Sequence, residues 1–176
     1  RNKLWDIHLS GDLYLNGWNS GDYKVDGSLS RFLKGKWGNV QLSFTNVNRT
    51  PSFIFNNLSS FNFVNNAPYK KENITVVNAT AENAYLTVSA TNYLINNYAY
   101  FSGLFQTAQY NKLINLLQLS ASKKISLTKK WKWYVDVTVQ QTDGSAPIRV
   151  PLVFTRNRIA YEGVFYKNLN LSTGIE

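Results

Sequence analysis

The sequence predicts an all-β protein, an antiparallel transmembrane β-barrel or part of a larger one, from three observations. Apolar and polar side chains alternate strictly over residues 131–141, and again over 4–16 and 23–30. This period of two places apolar side chains on one face of a strand and polar ones on the other. Turn signals separate such segments along the whole chain. No apolar run is long enough for a membrane helix, whereas a sheet with two unlike faces suits lipid outside and water inside.

The pattern divides the chain into a hairpin meander of about nine to eleven strands, each roughly ten residues long, the length of a tilted membrane crossing. No linker, internal repeat or shift of composition interrupts it, so residues 1–176 are expected to form one segment of a barrel, incomplete at both ends. The predicted strands are residues 4–16, 23–33, 39–47, 73–81, 84–95, 98–108, 113–127, 131–141, 148–155, 158–167 and 168–176.

The strands of the N-terminal part are predicted from alternation alone. Over residues 4–16 the odd positions are apolar or Gly and the even positions are mainly polar. Residues 23–33 follow the same pattern until Arg31 and Phe32 break it, and in 39–47 the apolar residues Val40, Leu42 and Phe44 alternate with polar ones. Region 46–72 is less regular and is predicted to face outward, because long loops lie on one side of such barrels. Two aromatic pieces in it fit either a short hairpin or parts of a long strand and loop: Phe53–Phe55 and Phe61–Val64.

The later strands rest on alternation and on turn chemistry together. Residues 73–81 and 84–95 are predicted as two strands or one continuous strand, and Asn96-Asn97 as a two-residue hairpin turn. Residues 113–127 are predicted as a strand because β-structure surrounds them, although their leucines also fit the 3.6-residue period of a helix. Residues 131–141 carry the clearest alternation and end at a turn signal rich in Asp, Gly and Ser.

Charge and composition exclude several classes of function. The chain carries 19 Lys and Arg against 10 Asp and Glu, a net charge of +9. No zinc-finger or RNA-recognition signature accompanies this charge, and no nucleic-acid partner is expected. The absence of cysteine excludes a disulfide-stapled domain and a thiolate metal site. Many cations fall in short turns, where they would meet anionic lipid head groups or solvent: Lys34, Lys36, Lys70, Lys71, Lys123, Lys124, Lys129 and Lys130.

The chain holds few groups for catalysis, and neither an enzyme nor a cofactor or metal site is predicted. His8 is the only histidine, so a histidine-based triad would have to use it. Asp6 and Asp12 share its face of the predicted strand, and a wetted histidine is favoured over metal binding or general-base chemistry. No Gly-rich phosphate loop, HExxH motif or nucleophile elbow occurs.

The polar positions of the predicted strands are the candidate functional residues. They carry both signs of charge, and in a water-filled pore facing rows of opposite charge would screen solutes by charge and size. Cross-strand ion pairing on a solvated face is the alternative. The candidates predicted to face a lumen are Asp6, His8, Asp12, Lys24, Asp26, Lys132, Asp136, Arg149 and Glu162.

Aromatic residues make up 15% of the chain, and many lie near predicted strand ends or turns. Membrane barrels carry such aromatics as girdles at the two lipid interfaces; high β-propensity is the alternative reason for their number. The girdle candidates are Trp5, Trp18, Trp37, Trp131 and Trp133.

Three segments resemble the putative porin family of Bacteroidota outer membranes: Asn96–Phe101, Pro151–Gly163 and Tyr166–Gly174. The similarity extends from about residue 60 onward, and its motifs are structural rather than catalytic. The resemblance implies a larger single-chain barrel in the outer membrane that passes small solutes. Family members are several times longer and continue to a C-terminal aromatic strand, which is a further reason to expect a fragment.

The sequence and the resemblance together predict a porin-like channel for passive diffusion in the outer membrane of a Gram-negative bacterium. Its expected partners are outer-membrane lipid, lipopolysaccharide and small solutes. Two alternatives stay open. One is a non-conducting barrel subunit that assembles with other outer-membrane subunits, and the other is a soluble β-sandwich that serves as an adhesin or carbohydrate-binding module.

Overall fold

The computed structural model of the protein describes residues 5–33, 38–56, 68–165 and 169–175. These residues form eleven β-strands and one 3-10 turn, and they contain no helix with the length and apolar character needed to cross a membrane. The strands are β1 (Asp6–Leu13), β2 (Tyr23–Leu33), β3 (Gly38–Arg49), β4 (Glu72–Glu82), β5 (Leu86–Asn96), β6 (Tyr98–Gly103), β7 (Gln106–Tyr110), β8 (Ile114–Ser126), β9 (Trp131–Thr142), β10 (Val153–Phe165) and β11 (Leu169–Ile175).

Nine of these strands form one antiparallel sheet in the order β1-β2-β3-β4-β5-β8-β9-β10-β11. Strands β6 and β7 form a separate hairpin that is inserted between β5 and β8. The registers of the nine-stranded sheet run without interruption, for example from Tyr23 opposite Asn48 to Leu33 opposite Gly38. A slip of one residue would move apolar side chains to the polar face, so an unbroken register keeps the two faces distinct. The predicted all-β antiparallel meander is confirmed. Within the described residues the sheet is open, because β1 and β11 do not pair with each other.

Two predicted strand boundaries in the C-terminal half are wrong. Residues 98–108, predicted as one strand, form β6 and β7, because the chain reverses at Leu104–Phe105 beside an irregularity between Phe101 and Gly103. Residues 148–155 and 158–167, predicted as two strands, contribute instead to the single strand β10. The chain does not turn between them, because Asn157 stays in register with Val135 of β9.

Two turn and loop predictions also differ from the structure. Asn97 has the left-handed φ of 57° typical of a turn residue, but it leads from β5 into β6, and the sheet partner of β5 is β8. In region 46–72, β3 continues to Arg49, and Phe53–Phe55 forms the 3-10 turn rather than a strand. Phe61–Val64 lies outside the described residues.

The connections at the two ends of the sheet differ in length. At one end, three or four residues join β2 to β3, β4 to β5, β8 to β9 and β10 to β11; this is called the short-turn end below. At the opposite end the connections span residues 14–22, 50–71, 97–113 and 143–152, and the third of them contains the β6–β7 hairpin. This is called the long-connection end.

The sheet buries very little apolar surface within the chain. Among the described residues the buried hydrophobic side chains are Ala99, Ile114 and Ala160. The accessible surface of the chain is 12957 Å², whereas a compact monomer of this mass exposes about 8,700 Å². Hydrophobic burial is the main favourable term in folding, and the described part of the chain provides little of it within this sheet.

Candidate functional site

The candidate site is the polar face of the nine-stranded sheet, which the strand register defines residue by residue. Residues directly opposite each other share a face, so one polar row consists of Ser28, Ser43, Asn78, Thr91 and Gln118 on β2, β3, β4, β5 and β8. The intervening positions form the apolar face. One apolar row continues across eight strands: Ile7, Leu29, Leu42, Ala79, Ala90, Leu119, Val139 and Val153.

On the central strands β4, β5, β8 and β9, polar side chains are better buried than apolar ones. Thr91 and Thr138 on the polar face are 8% and 7% exposed, whereas Leu119 on the apolar face is 49% exposed. A soluble protein shows the reverse order. The accessibilities indicate a sheet that curves toward its polar face, with its apolar side chains on the convex side.

Eight predicted lumen residues lie on this polar face, and one does not. Arg149 is exposed in connection 143–152, because β10 begins only at Val153. Among the described residues, no group of three His, Cys, Asp or Glu side chains is arranged to hold a metal ion. The eight residues on the polar face are Asp6, His8 and Asp12 of β1, Lys24 and Asp26 of β2, Lys132 and Asp136 of β9, and Glu162 of β10.

The β1–β2 side of the polar face is rich in carboxylates. Asp6, Asp12 and Asp26 stand on it with a single cation, Lys24, which lies opposite Asp12. The Lys24 Nζ is 2.8 Å from Asp26 Oδ2, and the Thr45 hydroxyl donates a hydrogen bond of 2.7 Å to Asp26 Oδ1. The negative charges therefore exceed the positive ones on this side of the sheet.

The β8–β10 side of the same face is rich in cations. Lys124 lies opposite Tyr134, which lies opposite Arg158, and Arg156 lies opposite Asp136. The sequence prediction missed three of these cations. They could have been found from the alternation, because they stand at even-numbered positions of their strands, as the predicted Lys132 and Glu162 do. The charged side chains on this side are Lys124, Lys132, Arg156 and Arg158 against Asp136 and Glu162.

Tyr134 is the centre of a polar cluster on this side. Its hydroxyl donates a hydrogen bond to Glu162 Oε1, and Lys124 Nζ lies 3.1 Å from Glu162 Oε2. Lys124 Nζ is also 5.1 Å from the centre of the Tyr134 ring, and Arg158 Cζ is 4.4 Å from the same ring. Lys124 thus offsets the charge of Glu162, and the Arg158 guanidinium makes a cation–π contact with the Tyr134 ring.

A concavity of about 400 Å³ opens beside the Tyr134 cluster, near the short-turn end. Three cations of the polar face line it together with the carboxylates of Glu82 and Asp136. The exposed ring of Tyr85, in the connection from β4 to β5, closes one side. The lining cations of the polar face are Lys124, Arg156 and Arg158, and Lys123 also lines the concavity.

The apolar face forms a band of limited height. On β9 it runs from Trp131 to Val139, about 27 Å along the strand at the usual rise per residue, similar to the roughly 25 Å band of membrane barrels. Toward the long-connection end amide side chains replace the apolar ones, and Asn92 donates a hydrogen bond of 3.0 Å to Asn115 Oδ1. The sequence prediction missed this amide belt, whose members are Asn46, Asn73, Asn92, Asn115 and Gln141.

Three of the predicted girdle aromatics lie on the apolar face at the short-turn end. Trp131 and Trp133 lie in the first three residues of β9, at this end of the sheet. The ring centres of Trp131 and Tyr161 are 5.5 Å apart in an edge-to-face contact. Trp5 immediately precedes β1, with the Arg31 guanidinium 5.1 Å from its ring. Aromatic and cationic side chains thus mark one margin of the apolar band.

The other two girdle candidates lie elsewhere. Trp18 belongs to connection 14–22 at the long-connection end, where its ring meets Phe53 edge-on at 5.7 Å. It is half-exposed and packs on another connection rather than on the apolar face. Trp37 lies outside the described residues.

Asp22 joins three segments at the long-connection end. Asp22 is 6% exposed, and its carboxylate accepts hydrogen bonds of 2.9 Å from the Thr50 backbone N–H and 2.8 Å from the Thr50 hydroxyl. Lys71 Nζ lies 2.7 Å from Asp22 Oδ1. Burial raises the pKa of Asp22, but the hydrogen bonds from Lys71 and Thr50 outweigh burial and hold the pKa below its ordinary value of 3.8.

The β6–β7 hairpin packs against connection 50–71 at the same end. Glu72 is 3% exposed, accepts a hydrogen bond of 2.9 Å from the Ala99 backbone N–H and pairs with Arg49 Nε at 2.9 Å. Phe55 and Phe101 lie 5.1 Å apart. The hairpin is therefore fixed to the sheet and to its neighbouring connection through both polar and aromatic contacts.

The geometry defines a class of protein: an antiparallel meander sheet with an exposed apolar band on one face, a polar opposite face and unequal connections at its two ends. Over residues 1–176 the chain matches the family model described as "Putative porin", and it belongs to that family. The predicted family resemblance is confirmed and covers the whole chain rather than only its later part. No curated protein and no solved structure matches the chain.

Proposed function

We propose that this chain is part of an outer-membrane β-barrel that forms a porin-like channel for the passive diffusion of small solutes. The observation that supports this most strongly is the inverted distribution of side chains. Leucines and valines such as Leu42, Leu119 and Val139 are exposed on the apolar face, and Thr91 and Thr138 are buried on the polar face. Lipid would cover the first face and water would fill the space beside the second. Family membership is consistent with this role.

The two kinds of connection support an orientation for this barrel. In outer-membrane barrels short turns face the periplasm and long connections face the outside. The short-turn end would therefore be periplasmic, and the β6–β7 hairpin, Asp22 and Trp18 would be external. The amide belt would lie at the outer lipid margin, next to lipopolysaccharide, and the aromatic margin at Trp131 and Trp5 would lie at the inner one.

The charge distribution on the polar face supports a channel that selects solutes by their charge. The β1–β2 side carries three carboxylates against one cation, and the β8–β10 side carries four cations against two carboxylates. Curvature toward the polar face would turn these two sides toward each other across the lumen. Facing walls of opposite net charge create a transverse field in a space bounded by low-dielectric protein, and such a field sorts solutes by their charge.

The direct test is single-channel conductance of the full-length protein, extracted in detergent and inserted into a planar bilayer. Discrete ohmic steps would support the proposal, and the reversal potential in a salt gradient would then measure ion preference. A silent bilayer in which insertion has been verified would contradict an open channel. A vesicle-swelling assay with uncharged sugars is an independent readout, because it does not depend on current.

One observation favours a second candidate, a barrel whose lumen is filled. At the long-connection end Glu72 is 3% exposed and accepts a hydrogen bond from Ala99 of the β6–β7 hairpin, so the hairpin already covers part of the polar face. Such a subunit would insert in lipid and fail to conduct. A soluble sandwich is less well supported, because nothing in the described residues covers the apolar row from Ile7 to Val153.

A further inference from the structure

We propose that Arg158, with Lys124 and Arg156, forms a binding subsite for a small oxyanion, a carboxylate or a phosphate, on the polar face at the short-turn end. The inference deepens the proposed channel function and rests on it, since it names a class of solute for which the wall of the lumen has a specific site. The subsite occupies the concavity beside Tyr134.

The first step of the argument is that the exposed Arg158 side chain rests on the Tyr134 ring and has no anionic partner among the described residues. Its guanidinium lies 4.4 Å from the centre of the Tyr134 ring, and Tyr134 is fixed by its hydrogen bond to Glu162. Among the described residues, none forms a hydrogen bond or an ion pair with Arg158. A guanidinium offers five N–H donors in a planar fork, so its donors stay available to a ligand.

The second step is that the nearby carboxylate is already engaged. Glu162 Oε1 accepts a hydrogen bond from the Tyr134 hydroxyl, and Glu162 Oε2 pairs with Lys124 Nζ at 3.1 Å, so both of its oxygens have partners other than Arg158. The carboxylate and the ring thus act as positioning groups for Arg158. A cation that is oriented by its neighbours loses less conformational entropy on binding than a free surface arginine.

The third step is the charge of the concavity. Its lining includes the cations Lys123, Lys124, Arg156 and Arg158 against the carboxylates Glu82 and Asp136. The excess of cations attracts anions, and the planar fork of arginine matches the paired oxygens of a carboxylate or a phosphate.

Binding is tested by isothermal titration calorimetry of the full-length, detergent-solubilised protein with sodium succinate and, separately, with sodium phosphate. We expect a saturable heat with at least one anion. Stronger binding of succinate would assign the site to organic acids, and stronger binding of phosphate would assign it to phosphates. The absence of saturable binding for both anions would overturn the inference.

The residue is tested by Arg158→Gln, with Arg149→Gln as a control that removes the same charge from an exposed connection outside the sheet. We expect Arg158→Gln to weaken binding at least about tenfold, the effect of losing hydrogen bonds to a charged group, and Arg149→Gln to leave it unchanged. Equal affinity of Arg158→Gln and the wild type would overturn the inference. If Arg158→Gln does not fold, Arg158→Lys decides: it keeps the charge without the fork, and an unchanged affinity would overturn the assignment.

Calorimetry and conductance separate the two proposals. Anion binding without conductance would leave the subsite in place and contradict the open channel. Conductance without anion binding would support the channel and overturn the subsite. In a conducting protein, succinate or phosphate should also reduce chloride current in a saturable way, and Arg158→Gln should remove this reduction.

Discussion

At the scale of single residues, the strongest local constraints lie at the ends of the strands rather than along them. Asp22 binds Thr50 and Lys71 and so connects two long connections with the start of β2. Gly38 begins β3 with a left-handed φ of 65°, a conformation that only glycine adopts freely. Both residues fix where a strand starts, and the start of a strand sets the register of all its side chains.

Asp22→Asn should lower the free energy of unfolding by about 1–3 kcal/mol at neutral pH, because it removes a charge-assisted hydrogen bond from a buried group. The difference from wild type should depend on pH. Since the folded pKa of Asp22 lies below 3.8, its carboxylate stabilises the fold fully above that value and loses this contribution as the pH falls through the folded pKa.

The measurement for Asp22 is urea unfolding of the vesicle-reconstituted protein, followed by tryptophan fluorescence at several pH values between neutral and strongly acidic. The gap between wild type and Asp22→Asn should narrow as the pH falls below 3.8. A gap that stays constant over this range would mean that the ionised carboxylate does not contribute to stability.

Gly38→Ala should destabilise the protein by about 1–3 kcal/mol, the cost of a non-glycine residue in a strained left-handed conformation. A Cβ at this position would lie 2.1 Å from the Glu82 carbonyl oxygen, so the backbone of β4 would also have to move. Gly144→Ala is the matched control, because its Cβ would meet open space. Equal urea midpoints for the two variants would contradict this account of Gly38.

At the scale of elements, the alternation of side chains determines most of the sheet, and it was sufficient to predict which residues share a face. β2 and β9 were predicted closely, because one-faced strands show their period directly in the sequence. β1 was predicted to run to residue 16, but it ends at Leu13. The β6–β7 hairpin was not predictable in this way. Tyr98, Tyr100 and Phe101 have high β-propensity, and their pairing with β7 rather than with the main sheet depends on contacts with connection 50–71.

The functional face was only partly predictable for a related reason. The alternation identified charged residues such as Lys132 and Asp136 on the polar face. The proposed role of Arg158 depends on its contact with Tyr134 on the neighbouring strand, and that contact is known only from the register of β9 with β10. The amide belt was also missed. Asn92 and Asn115 are distant in sequence and meet only because β5 pairs with β8.

The apolar band itself is tested by Leu119→Arg. Leu119 lies between Ala90 and Val139 on the apolar face and is 49% exposed. A charged side chain near the bilayer midplane costs about 2–4 kcal/mol in a membrane barrel, so folding into lipid vesicles should be weakened by that amount. Ser122→Arg is the matched control, since it places the same group on the polar face opposite Asp136. Equal loss in both variants would argue against a lipid-facing band.

At the scale of the whole molecule, the surface distribution inverts that of a soluble domain. The large accessible area and the small number of buried hydrophobic side chains among the described residues show that the sheet is not stabilised by a core within this part of the chain. Lipid on the convex side and water on the concave side would satisfy both faces at once, and neither face would then need a protein partner to cover it.

The most direct test of this central claim is the accessibility of four consecutive positions on β8. The chain contains no cysteine, so single cysteines can replace Leu117, Gln118, Leu119 and Ser120 in turn in the vesicle-reconstituted protein. We predict alternation: a fluorophore at Leu117 or Leu119 is quenched by lipid-attached quenchers, and one at Gln118 or Ser120 by aqueous iodide. Quenching by iodide at all four positions, with no lipid effect at the leucines, would contradict a sheet with one face in lipid and the other in water.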